Sequence, residues 1–419
     1  MTTTGRIELM APAGNFESLQ AAIDNGADSV YFGVEQLNMR ARASINFTLD
    51  DLEEIVNRCQ PKGIRTYLTL NTIIYDHDLS IVKTLINRAK EAGITAVIAM
   101  DQSVIAYARQ VGLEVHISTQ INVTNIETVK FYALFADTIV LSRELSLNQV
   151  KKITELIEKE QIKGPSGNLV EIEIFGHGAL CMAVSGKCYL SLHSHNSSAN
   201  RGACKQNCRK KYTVIDQESG FEIEIDNEYM MSPKDLCTLN FLDQIVDAGV
   251  KVLKLEGRGR APEYVAMVTK CYREAIDSLE EGTFTQEKVS EWMKRLETVY
   301  NRGFWSGYYL GQKLGEWSDN PGSNATQKKI YIGKGRHYYP KTQIAEFLME
   351  AYDLNVGDTV LVQGPTTGTQ EYTVESMMVD DVKASTATKG DVVTFPLHFK
   401  IRPSDKLYKV VKNDELEKN

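Results

Sequence analysis

The chain has 419 residues, 42% of them hydrophobic and 24% charged, with a formal net charge of −8. This length suits one large domain plus a small one, and the composition is that of an ordinary soluble globular protein. The acidic balance excludes a surface that is basic throughout, so any nucleic-acid site must be a local patch.

The N-terminus, M-T-T-T-G-R-I-E-L-M, lacks the apolar run of a signal peptide, and no apolar stretch approaches a membrane span. The expected location is the cytosol, without a membrane partner; thiols stay reduced there and clustered cysteines favour metal over disulfide.

A phrase recurs along the first two-thirds of the chain: a helix ending in Gly, then a short apolar strand. It occurs at 22–33, 89–99 and 246–257. Gly26, Gly93 and Gly249 suit the left-handed position that closes a helix. The runs that follow are apolar on both faces, as buried parallel strands are. Eight strands are predicted, at 7–10, 29–34, 65–71, 96–100, 114–119, 138–142, 171–176 and 251–256. Helices lie between most of them, including 15–25 capped by Asn15 and 101–111 capped by Asp101. Eight such units within about 280 residues predict an α/β fold, a (β/α)8 barrel, with a doubly wound open sheet as the alternative.

Barrel chemistry sits at the C-terminal ends of the strands. Reading there gives Ala13-Gly14, Glu35, Asn71, Gln120, Arg143-Glu144, His177, and Glu256 with Arg258. Of these, His177, Glu256 and Asn71 are the candidate catalytic groups. Arg143, Arg258 and Gln120, together with Arg42 from the basic stretch N-M-R-A-R, are candidate binders of an anionic small molecule, since planar guanidinium groups match carboxylates.

About seventy residues separate the seventh strand from the eighth, an insertion long enough to be functional. Four of the seven cysteines lie in it: Cys181, Cys188, Cys204 and Cys208, with six, fifteen and three residues between successive members. Thiolates are soft ligands, and four complete one zinc or iron–sulfur site. Buried inert thiols are the plain alternative. Cys237 is a fifth thiol that competes with Cys208 for the last position, whereas Cys59 and Cys271 read as core. Arg201, Lys205, Arg209, Lys210 and Lys211 form a basic cluster that suggests an anionic substrate, since phosphates need such local charge. A second cluster is Lys251, Lys254, Arg258 and Arg260. Within the insertion, 211–216 and 221–226 read as a hairpin.

The barrel domain is expected to span 1–300, with the cysteine-bearing insertion at 179–250. A connector rich in Gly and aromatic residues follows at 301–327. From 328 to 412, short alternating strands with Gly and Pro turns predict a small C-terminal β-barrel.

The stretch F-G-H-G-A-L-C-M-A-V-S-G-K-C-Y-L-S with N-R-G-A-C-K-Q-N-C-R, flanked by L-M-A-P-A-G near the start and K-L-E-G-R at 254–258, resembles the signature of the collagenase-like peptidase family U32. The resemblance extends into the C-terminal region. It implies oxygen-independent hydroxylases carrying a four-iron–four-sulfur (4Fe-4S) cluster on the four clustered cysteines. In length the chain resembles the branch that acts on tRNA, forming 5-hydroxyuridine at the wobble position with prephenate as hydroxyl donor. Other branches imply rRNA or a small-molecule ring as substrate. The family name itself implies a peptidase, yet neither H-E-x-x-H nor G-x-S-x-G occurs in the chain. A Cys181–His177 couple would leave three further cysteines unexplained. An RNA-binding protein with a structural zinc is the non-catalytic alternative.

Overall fold

The computed structural model describes residues 6–42, 46–213, 217–218, 229, 231–311, 315–320 and 322–413. Strands β1 (Glu8–Pro12), β2 (Ser29–Phe32), β3 (Arg65–Leu70), β4 (Ala96–Ala99), β5 (Glu114–Ile117), β6 (Thr138–Val140) and β7 (Glu171–Gly178) pair in parallel in sequence order. After the short β8 (Asp235–Cys237), β9 (Val252–Leu255) closes the ring by pairing in parallel with both β7 and β1. The result is the closed α/β barrel expected from the eight apolar runs.

Local signals act as the sequence suggests. Asn15 Oδ1 accepts from the Ser18 amide at 2.8 Å, and Asp101 Oδ1 accepts from that of Ser103 at 2.9 Å, so both caps satisfy free amides of a first helical turn. Gly26, Gly93 and Gly249 take φ of +85°, +82° and +79° at the turns into the next strands. Met10, Tyr31, Tyr67, Ala96, Ile98 and Val252 pack a layer inside the barrel, while a larger apolar core joins the strands to the outer helices.

Two very short strands extend this sheet at the mouth. β8 runs antiparallel to the end of β7, with His177 opposite Cys237, and β10 (Phe304–Trp305) lies parallel to β8. The connector is thereby stitched to the barrel, and Tyr309 Oη donates to the Phe175 carbonyl at 2.9 Å. From Gln327–Tyr339 to Lys406–Lys412 the chain builds a separate antiparallel region of eight strands plus a two-stranded pair. It encloses its own core around Ile332, Phe347, Val360, Val393 and Phe395. Glu263, at the start of the helix Pro262–Glu280, receives Lys329 Nζ at 2.8 Å and Gln363 Nε2 at 2.9 Å, tying this region to the barrel. The hairpin expected at 211–216 and 221–226 falls outside the described residues at 214–216 and 221–226. Among the described residues, no helix is long and apolar enough to cross a membrane.

Candidate functional site

A cavity of about 230 Å³ opens at the C-terminal ends of the barrel strands. Its wall carries Asn71, Gln120, Arg143, Glu256 and Arg258 from the strand ends, and all four clustered cysteines from the loop after β7. The loop is held close to the barrel. At Gly202, where φ is +81°, an added Cβ would sit 2.2 Å from the Asn38 carbonyl oxygen. Arg209 pins the same loop, donating to the carbonyls of Leu180 at 2.5 Å and Pro233 at 2.7 Å and to Ser232 Oγ at 3.0 Å.

The cavity is strongly cationic for an acidic protein. Among the described residues, Arg40, Arg143, Arg209, Lys254, Arg258, Arg260 and Arg302 line it, against the single carboxylate of Glu256. Burial pushes that carboxyl up, but Arg40, Arg260 and Arg143 more than offset it and hold it down at about 2. Arg40 Nη2 donates to Glu256 Oε1 at 2.8 Å. Arg258 is buried, donates to Thr69 Oγ1 at 2.9 Å and is lowered to about 10 by burial. Arg143 lies 3.9 Å over the Phe175 ring and donates to the Ala179 carbonyl at 3.0 Å. Lys254 lies on the floor, where its Nζ meets the buried Glu173 Oε1 at 2.8 Å. Asn71 Nδ2 donates to Ser118 Oγ at 3.3 Å and Gln120 Oε1 at 3.2 Å, so these amides form one polar wall. Such a lining suits a bound anion with polar groups to orient it.

His177 sits elsewhere. It is outside the cavity lining, packed among Tyr264, Tyr272 and Phe304, with Nδ1 3.4 Å from Tyr272 Oη. Burial lowers it to about 3, against a raising influence of Glu256. The unfolded chain takes up this proton near pH 6.5 while the fold does so only near 3. Stability is therefore full above about pH 6.5 and falls as pH drops toward 3. Urea unfolding at pH 7 and pH 4 should show a loss from this group of about 3 kcal/mol, removed in His177→Phe.

Arg42 is exposed and outside the lining; its backbone amide donates to the Gly202 carbonyl at 3.2 Å. Arg201 is committed to Asp78 Oδ2 at 2.5 Å and the Ile73 carbonyl at 2.9 Å, and stacks on Tyr75. Lys205, Lys210 and Lys211 are exposed and outside the cavity lining. Cys237 is buried against Met293 Sδ at 3.6 Å and does not line the cavity. Residues of the lining that sequence reasoning did not select include Tyr31, Thr69, Ser118 and Arg302. Arg302 belongs to a connector with no sequence signal for chemistry.

The donor set can be tested against a metal group. Among the described residues, no three His, Cys, Asp or Glu side chains converge as ligands of one ion. The four cysteines nevertheless line one cavity and feel one another: burial first, then Cys181, Cys204 and Cys188, raise the Cys208 thiol, with Arg209 opposing. Four soft sulfur donors amid compensating guanidinium groups fit a thiolate-ligated cluster by chemistry.

The family model for peptidase family U32 matches residues 14–319. A collagenase of Porphyromonas gingivalis is 53% identical over 408 residues, covering 97% of this chain and 99% of its own. The tRNA hydroxylation protein P1 of Bacillus subtilis is 30% identical over 418 residues, covering 97% and 95%. A 23S rRNA 5-hydroxycytidine synthase of Escherichia coli is 32% identical over 318 residues, spanning 74% of this chain and 46% of that one. Matched over most of its length by the family model and over nearly all of it by the first two relatives, the chain belongs to peptidase family U32.

Proposed function

We propose that this protein hydroxylates a pyrimidine in RNA, with the wobble uridine of tRNA as target and prephenate as hydroxyl donor. The observation that carries the reading is one cavity lined, among the described residues, by four cysteines and seven cationic side chains against a single carboxylate. Relatives named for tRNA and rRNA hydroxylation support it. Cys181, Cys188, Cys204 and Cys208 would hold an iron–sulfur cluster, which supplies one-electron chemistry when bound. Arg258 and Arg143 bind the carboxylate of the donor, and Asn71 and Gln120 orient it by hydrogen bonds. Glu256 stays ionised and fixes Arg40 at the mouth. The base enters the barrel mouth out of its stack, as enzymes acting on bases require.

Peptide hydrolysis is a second reading, favoured by the collagenase name of a relative at 53% identity. Against it, no histidine among the described residues lines the cavity that holds Cys181, so it shows no nucleophile–base pair of the kind such chemistry needs. Nucleoside mass spectrometry of tRNA from a deletion strain separates the two. The expected result is one pyrimidine lighter by one oxygen atom, restored by the intact gene. An unchanged profile contradicts the proposal.

A further inference from the structure

The loop that carries the cysteines has a charge property the cavity alone does not explain. From residue 174 to 215 the chain contains no Asp or Glu, although 55 of its 419 residues are acidic. At about one acid in eight, a run this long would hold about five. Within the loop, Arg201 and Arg209 are spent on Asp78 and on carbonyls, so they hold the loop in place. Lys205 and Lys210 are exposed.

The same loop exposes large apolar side chains. Tyr189 is 66% exposed, and Met182 and Val184 are each 46% exposed. Tyr189 lies between Cys188 and Leu190, both of which line the cavity, and Met182 and Val184 line it too. An apolar rim continuous with a site, on a stretch of chain that carries lysines and no carboxylates, marks a binding surface.

We infer that this acid-free loop is a docking collar for a single-stranded segment of RNA, with Tyr189 as a stacking platform and Lys205 and Lys210 as phosphate contacts. The inference rests on the RNA reading above and adds the residues that receive the strand beside the target base. Single strands suit the surface because unpaired bases offer their faces to exposed rings, while the bases of a duplex keep theirs stacked.

The test is fluorescence anisotropy with the full chain, using a labelled single-stranded RNA of about fifteen nucleotides and the matching duplex at 50 and 200 mM salt. Tyr189→Ala is expected to weaken single-strand binding about tenfold or more, and Tyr189→Phe to retain it, because the ring face does the stacking. Lys205→Glu with Lys210→Glu should weaken binding most at 50 mM salt and flatten the salt dependence. Thermal midpoints of these variants should match the parent, since all three side chains are exposed. Unchanged affinity in every variant overturns the collar and leaves RNA hydroxylation standing. Equal losses on duplex and single strand overturn the assignment to single strands. If the parent binds gelatin but neither RNA at 50 mM salt, the collar and the reading beneath it both fall.

Discussion

Alanine at any one of Cys181, Cys188, Cys204 or Cys208 is expected to remove nearly all iron and acid-labile sulfide from protein purified without air, and to abolish RNA hydroxylation. A thiolate cluster is held by its full ligand set, and three donors do not retain it as four do. The expectation follows from the gathering of these four thiols on one cavity. The other three cysteines supply the control. Cys59 and Cys271 are buried in the core, and Cys237 is buried beside Met293 and Tyr272, away from the cavity lining. Alanine at Cys237 should leave the iron content intact. If Cys237→Ala empties the site while Cys208→Ala does not, the fourth ligand has been misassigned.

The second large effect is expected at Arg258. Its guanidinium is buried in the cavity wall, and the hydrogen bond to Thr69 occupies one of its five donors. A carboxylate placed there completes its hydrogen bonding in two parallel contacts. Removing one member of a buried charged pair typically costs about 3–5 kcal/mol, which corresponds to roughly a hundredfold or more in affinity. Calorimetric titration with prephenate should show a loss of that size for Arg258→Ala. Lysine should recover little of it, because a point charge does not reproduce a planar fork. Equal affinity in parent and alanine variant would remove Arg258 from the donor site.

The barrel was legible because buried parallel strands are apolar on both faces and their helices end on glycine. β1 to β7 and β9 stand where those runs predict, and Asn15 and Asp101 cap the helices they precede. Reading polar residues at strand ends named Asn71, Gln120, Arg143, Glu256 and Arg258 on the cavity wall, since strand polarity dictates which end faces the mouth, but also Glu35, Glu144 and His177, which lie outside its lining. The departures come from side-chain direction. β7 continues to Gly178 and pairs there with β8, and that pairing turns His177 into the cage of Tyr264, Tyr272 and Phe304. Three-residue β8 and two-residue β10 are too short to leave a periodic trace. Arg40 and Arg42 stand two residues apart on an irregular segment, where no period tells which one reaches Glu256; Arg40 does. Arg201 and Arg209 read as phosphate contacts by charge alone, but both are engaged with partners distant in sequence.

RNA hydroxylation is tested most directly by reconstitution. Protein purified and loaded with iron and sulfide without air is incubated with prephenate and tRNA from the deletion strain, and the digested nucleosides are weighed. A gain of one oxygen atom on a pyrimidine is expected, lost in Cys204→Ala and in Arg258→Ala. RNA of unchanged mass, with gelatin cleaved by the same preparation in a manner that depends on Cys181, would contradict it.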